Sequence, residues 1–225
     1  MTPIISAQNV TKTLSGEVPV TLVNNVSVEI GKGEFVTITG PSGSGKSSLL
    51  YILGLLDTPT NGKVFLDNID TSKLNDTELA NLRISKIGFV FQFHFLIPEF
   101  NAIENVMLPM KRLGRLKEQE MESTARVLLR SLGLENEINK RPKQLSGGQS
   151  QRVAIARALA NKPLVILADE PTGNLDTKAT ANVQEIFRDL AKNSNTSIVT
   201  VTHDPTFAEK SDRIITVTDG KLAKI

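Results

Sequence analysis

The chain of 225 residues contains no cysteine, so neither disulfides nor thiolate-bound metal can hold its fold, and nothing implies an oxidising compartment. Excess charge is nearly absent as well. The 26 Lys and Arg against 24 Asp and Glu leave a formal +2, too little for the basic face that a DNA-binding domain concentrates. No nucleic-acid partner is expected. Long apolar runs are also missing. The richest, Leu49–Leu56, falls well short of the roughly 20 residues that cross a bilayer and is interrupted by Gly54. It reads as a buried helix. The start, Met1-Thr2-Pro3-Ile4-Ile5-Ser6, lacks a basic segment followed by an apolar one, so no signal peptide is expected, and the protein by itself is expected to be soluble and cytoplasmic. Aromatic residues are only 4% of the chain, which makes any local cluster of them informative. What remains, 40% hydrophobic and 22% charged, is ordinary for a globular protein. The length suffices for one large domain or two small ones with a substantial core.

The stretch Gly40-Pro41-Ser42-Gly43-Ser44-Gly45-Lys46-Ser47 organises the rest. An apolar-alternating segment, Glu34–Thr39, precedes it and reads as a buried strand; Ser48–Leu53 follows and reads as a helix. Strand, glycine-rich turn and helix together mark a phosphate-binding loop. Glycines at 40, 43 and 45 allow open turns that bring several backbone N–H groups to one anion. The helix N-terminus adds partial positive charge at the same place. Lys46 supplies a point charge for the outer phosphates, and the Ser47 hydroxyl can bind a magnesium ion bridging them.

Ahead of this loop, residues 4–10, 18–23 and 26–30 read as short strands punctuated by Gly16 and Gly31-Lys32-Gly33. Beyond it, Thr58–Gly62 is a turn cluster, Lys63–Leu66 a strand, and Asn75-Asp76-Thr77-Glu78 a capping box opening a short helix through Leu82. Ile87–Phe91 reads as a buried strand ending at Gln92. From about Glu99 to Arg157 the pattern becomes helical: Met121, Ala125, Leu128, Leu129 and Leu132 share one face of a helix over 118–132. Alternation then returns, with strands at 164–168 and 197–201 flanking an amphipathic helix over 177–192. The fold class expected is α/β, a mostly parallel sheet covered on both faces.

Two further features carry chemistry. The strand 164–168 ends in Asp169-Glu170, placing one carboxylate to hold magnesium and the next beside an attacking water. In Leu145-Ser146-Gly147-Gly148-Gln149, Ser146 is a natural N-cap and two glycines permit close backbone approach, so this is a second helix start suited to phosphate.

Together, and in this order, these motifs resemble the ATP-binding cassette family over essentially the whole chain. The resemblance implies a P-loop NTPase fold with an N-terminal antiparallel β subdomain and a helical subdomain over approximately 93–160, inserted in a single domain spanning 1–225. It implies an ATPase using ATP and Mg2+, with Glu170 polarising water, His203 (in Thr202-His203-Asp204) contacting the terminal phosphate, and Lys46 neutralising charge. The nucleotide-binding set becomes Gly40, Pro41, Ser42, Gly43, Ser44, Gly45, Lys46, Ser47 and Ser48, joined by Leu14, Gln92, Ser146, Gly147, Gly148, Gln149 and Asp176. The metal set becomes Ser47, Gln92 and Asp169. Asn174-Leu175-Asp176 resembles a loop reaching across to a second subunit, because the family clamps ATP between two copies paired head to tail.

The segment Phe91–Phe100 gathers aromatics beyond what one core face can bury, which suggests a docking groove. In the family this region, Gln92–Phe100, receives an integral membrane permease subunit. Its details, with Glu104-Asn105-Val106 and Pro171–Asp176, look like the LolD group, which powers lipoprotein release at the bacterial inner membrane. MacB-type efflux and an FtsE-like regulator of cell division are the alternatives. The resemblance therefore implies a peripheral protein on the cytoplasmic face of that membrane. His94 reads as a surface or groove residue. One position departs from the family: the aromatic on which adenine stacks is replaced by Leu14.

Overall fold

Strands flanked on both sides in a covered parallel sheet must be apolar at nearly every position. β3 (Phe35–Thr39), β7 (Val165–Asp169) and β8 (Ser197–Val201) meet that demand, and every residue of β8 is buried. Of the hydroxyls this places inside, Thr37 and Thr200 satisfy each other at 2.9 Å across the β3–β8 pair, and Ser197 donates to the Gly31 carbonyl at 2.9 Å. With β6 (Ile87–Phe91), β9 (Arg213–Thr218) and the short β10 (Lys221–Leu222), they form a six-stranded sheet in the order β10-β9-β3-β8-β7-β6. All pairings are parallel except the β9–β10 edge. The computed structural model describes residues 2–223.

A second sheet is antiparallel, in the order β2-β1-β4-β5, from β1 (Ile5–Leu14), β2 (Val20–Ile30), β4 (Asn61–Leu66) and β5 (Ile69–Asp70). Between the sheets lies α1 (Lys46–Leu53), whose Leu49, Ile52 and Leu53 pack with Ile5, Val10, Val23, Ile30 and Val199 in one core. The sequence suggests two strands at 18–23 and 26–30; the structure has one. Asn25 adopts φ 52° and hydrogen-bonds Asn9, itself at φ 51°, so paired asparagines absorb a bulge without ending either strand.

The opposite face of the parallel sheet is covered by α6 (Thr177–Ser194) and α7 (Pro205–Ala208). Here Phe35 meets Phe187 and Phe207 edge-to-face, at 6.4 and 6.3 Å. α2 (Asp76–Lys86) opens with both halves of the capping box formed by Asn75 and Glu78, and runs four residues past Leu82 directly into β6. Three helices, α3 (Ala102–Leu113), α4 (Glu118–Ser131) and α5 (Gly147–Leu159), share a separate cluster built on Val106, Met110, Ala125, Leu129, Leu134 and Val153. α5 serves two clusters: Val153 and Ala156 stay in this one, while Ile155 and Ala158 on another face pack against the sheet beside Val90 and Ile166.

Parallel strands in register end along one edge. Phe91 pairs with Asp169 and Asp169 with Val201, while Ile38 also pairs with Val201. The residues following β3, β6, β7 and β8 therefore converge at the carboxyl edge of the sheet, where open α/β sheets bind ligands.

Candidate functional site

Gly40, Gly43 and Gly45 adopt φ 146°, 75° and 94°, a region that side chains enter only with strain. At two of them space forbids a side chain as well: a Cβ would lie 2.0 Å from the Val217 carbonyl at Gly40 and 2.1 Å from the Leu22 carbonyl at Gly45. The loop is thus threaded between β9 and β2, and delivers α1 with Gly45 as a side-chain-free N-cap. The first amides of that helix have no side-chain acceptor, the condition under which a helix start receives an anion. Lys46 is 8% exposed and donates to the carbonyls of Gly40 at 2.9 Å and Pro41 at 2.7 Å, so its ammonium sits at the mouth of the loop. Ser44 Oγ is buried with no partner among the described residues.

One turn along α1 the chemistry meets β7. The Ser47 hydroxyl donates to Asp169 Oδ1 at 2.9 Å, and the Tyr51 phenol donates to Oδ2 at 2.7 Å. Burial pushes the Tyr51 hydroxyl up to about 12, helped by the hydrogen bond and the negative charge of Asp169, so it remains a donor across the neutral range. Hydroxyl and carboxylate oxygens are the donor set that hard divalent cations take. Tyr51 is absent from the sequence reading. The signal was its position four residues after Ser47, on the same helical face.

Glu170 follows at φ 46°, an unusual conformation for a non-glycine residue, held by its own N–H donating to Val201 at 2.9 Å and by Gly173 donating back to its carbonyl. This backbone turns its carboxylate toward the end of β8, where Oε1 lies 2.9 Å from His203 Nδ1. Asp204, the next residue, caps α7; hydrogen bonds from Thr206 chiefly hold its carboxyl below the usual range.

Gln92 is turned elsewhere. Its side-chain N–H faces Asn174 Oδ1 at 3.4 Å, and Asn174 reciprocates to the Gln92 carbonyl. A side chain at Gly173 would meet the Gln92 amide at 2.8 Å and have to displace it from Asn174. Ser146 caps α5, completing a capping box with Gln149. Gln149, expected among the nucleotide contacts, has both side-chain atoms engaged: Oε1 with the Ser146 N–H and Nε2 with Glu137. With Ser146, Gly147 and Gly148 it borders a cleft of about 450 Å³ shared with Asn174, Asp176 and Lys178. Asp176 itself caps α6 through the Ala179 N–H. The predicted site residues thus fall into two groups, one on the phosphate loop with Asp169, Glu170 and His203, the other around Ser146 and Asp176. Leu14, at the end of β1, is 47% exposed and paired with Val20.

The aromatic segment is anchored from beneath. Asn105 is fully buried; its amide donates to the carbonyls of Ile97, Phe100 and Asn101 and its oxygen accepts from the Ile97 N–H. Arg157 donates to the carbonyls of His94 and Phe95. Phe93 and Phe95 remain about two-thirds exposed, at 64% and 65%. His94, expected at the surface or in a groove, is partly exposed, and burial together with the Arg157 charge favours its neutral form. Beside this segment, Arg83, Phe89, Phe91, Arg112 and Arg157 line a groove of about 400 Å³.

A glycine loop opening a helix, with its terminal serine hydrogen-bonded to a strand-end carboxylate, defines a P-loop nucleoside triphosphatase. Residues 23–173 match the family described as ABC transporter, and the chain belongs to that family as an ATP-binding cassette ATPase. It is 50% identical to the lipoprotein-releasing system ATP-binding protein LolD of Aquifex aeolicus, over 99% of this chain and 97% of that one. It is also 48% identical to the uncharacterized ABC transporter ATP-binding protein MJ0796 of Methanocaldococcus jannaschii, over 98% and 96%. The solved structure of the dimeric MJ0796 cassette in a post-hydrolysis state, bound to ADP and Pi, is similar with a TM-score of 0.90. That comparison has 46% identity and covers 98% of this chain and 97% of that one. Among the described residues no helix is long and apolar enough to cross a membrane.

Proposed function

We propose that this chain is the ATP-hydrolysing subunit of a LolD-type system, energising lipoprotein release from the bacterial inner membrane while docked on the cytoplasmic face of integral membrane subunits. The names of relatives such as the Aquifex aeolicus and Chlorobium chlorochromatii proteins support the assignment, each 50% identical to this chain. The helical segment 93–160 presents the partner surface, with Phe93 and Phe95 beside the arginine-lined groove.

In this reading two copies pair head to tail, and each ATP lies between the phosphate loop of one and Ser146–Gly148 of the other. The observation that carries it is the division of the site residues into two groups, because Ser146 shares its cleft with Asn174 and Asp176 and not with Lys46. Glu170 takes the proton of the attacking water, while His203 orients that carboxylate and reaches the terminal phosphate. Lys46 and the loop amides neutralise the charge that develops on the phosphate oxygens. Ser47 and Asp169 are the residues that would hold the Mg2+ of the nucleotide, an ion that supplies charge neutralisation. Gln92 joins them in this proposal, from its position against Asn174.

Isolation from detergent-solubilised membranes with the chain tagged, followed by reconstitution of whatever integral subunits accompany it, tests the assignment. Stimulated ATPase activity and release of a membrane-anchored lipoprotein are expected. Export of a small molecule by the same complex would favour the MacB-type alternative. Activity stimulated by nucleic acid would overturn the membrane reading.

A further inference from the structure

A carboxylate at a strand end has two oxygens and a free torsion, so two contacts are needed to fix which oxygen faces a ligand. In this chain both contacts come from α1. Ser47 and Tyr51 are four residues apart on one helical face, and they take Asp169 Oδ1 and Oδ2 at 2.9 and 2.7 Å respectively. The tyrosine cannot drift from this position. Its ring is partly buried against the core between the sheets, and its own carbonyl accepts from the N–H groups of Leu56 and Asp57 at the helix end.

We propose that Tyr51 is a positioning residue for Asp169: it holds Oδ2 so that Oδ1 stays turned toward Ser47 and the phosphate loop. The inference rests on the proposed role of Ser47 and Asp169 toward Mg2+. Tyr51 has no contact with the ion in this proposal; it acts by removing the torsional freedom of the carboxylate that would hold it. Hydrogen-bond partners behind a metal-holding group commonly govern affinity by this route. The rest of the site does not perform this task, since Glu170 is turned to His203 and Gln92 to Asn174.

The test is Tyr51→Phe, which keeps the ring and its packing and removes only the hydroxyl. Binding of a fluorescent ATP analogue is followed in EDTA and in a magnesium titration, with Tyr51→Leu as a variant that also removes the ring. For Tyr51→Phe we expect metal-free nucleotide affinity within about twofold of wild type and a magnesium midpoint raised about tenfold. Tyr51→Leu should raise the midpoint as much and also lower the melting temperature in EDTA. An unchanged midpoint for Tyr51→Phe, beside a wild type that responds normally to magnesium, overturns this inference alone. An equal fall of both affinities also overturns it, because a purely structural role predicts that result. A wild type whose nucleotide binding ignores magnesium overturns the metal role of Ser47 and Asp169, and this inference with it.

Discussion

Glu170 and His203 are in direct contact, Oε1 to Nδ1 at 2.9 Å, although 33 positions separate them in sequence. The contact joins the ends of two adjacent parallel strands, so it is set by strand register and by the left-handed backbone of Glu170. The carboxylate is largely enclosed and the imidazole largely exposed, with side-chain exposures of 21% and 75%. In the proposed function, that arrangement leaves the ring free to reach an incoming nucleotide while Nδ1 steadies the acid.

Replacing Glu170 with Gln should leave ATP binding intact and reduce steady-state hydrolysis by about 10²–10⁴-fold, the range typical of a lost general base. Steady-state ATPase assays and gel filtration with ATP check this, and a persistent ATP-bound dimer is expected. Near-normal turnover would remove Glu170 from the role.

His203→Ala should lower kcat by about 100-fold with little change in nucleotide affinity. Combined with Glu170→Gln, it should add little further, because residues acting as one unit give strongly non-additive losses. A double variant whose defect equals the product of the two single defects would mean that the pair acts independently.

The glycines of the phosphate loop should not be equivalent. Gly45→Ala collides with the Leu22 carbonyl at 2.1 Å, whereas a Cβ at Gly43 meets nothing within 4 Å. Gly43→Ala should cost only the strain of its positive φ, about 1–2 kcal/mol, and keep measurable nucleotide binding. Gly45→Ala should abolish binding by displacing the loop from β2. Calorimetric titration with ATP separates the two.

Leu14→Tyr should tighten ATP binding about 3–10-fold, since an aromatic face adds roughly 0.5–1.5 kcal/mol beyond area burial, and should widen the preference for ATP over other nucleoside triphosphates. Competition binding measures both. Equal affinities would mean that the aliphatic Leu14–Val20 pair already does what a ring would do.

Asp204 gives a pH dependence of known sign. Its carboxyl is held low mainly by the Thr206 hydroxyl, then by the amides of Thr206 and Phe207 and the charge of His203. A depressed value in the folded state means that its stabilisation is present above the unfolded value and is lost as the pH falls through the folded one. Asp204→Ala should cost about 1 kcal/mol at neutral pH, as a lost N-cap does, and melting curves of the variant and wild type should converge in strong acid.

Much of the architecture was legible because its signals were local. The apolar runs at 34–39, 87–91, 164–168 and 197–201 read as covered strands, and the phosphate loop, Asp169-Glu170 and Thr202-His203 could be assigned to their ends. What failed to register depended on long-range partners. The helix Ala102–Leu113 lies within the stretch read as helical, but Pro109, normally a breaker, obscured its bounds; its start is nonetheless written in the Asn101–Glu104 capping box. The strand Arg213–Thr218 alternates exposed and buried residues and acquires its place by pairing with β3 on one side and the short β10 on the other. The breadth of Asn25's bulge needed Asn9, and Tyr51 gained meaning only once β7 was beside it.

Arg157 has a mechanical consequence. It grips the His94 and Phe95 carbonyls at one end of α5, while Ser146 caps the other end of the same helix. Eleven residues of α-helix make a strut of roughly 16 Å that does not change length. A load applied to the exposed phenylalanines by a docked membrane subunit is therefore delivered to the serine that would close over a second copy's nucleotide, with α5 as the connecting rod.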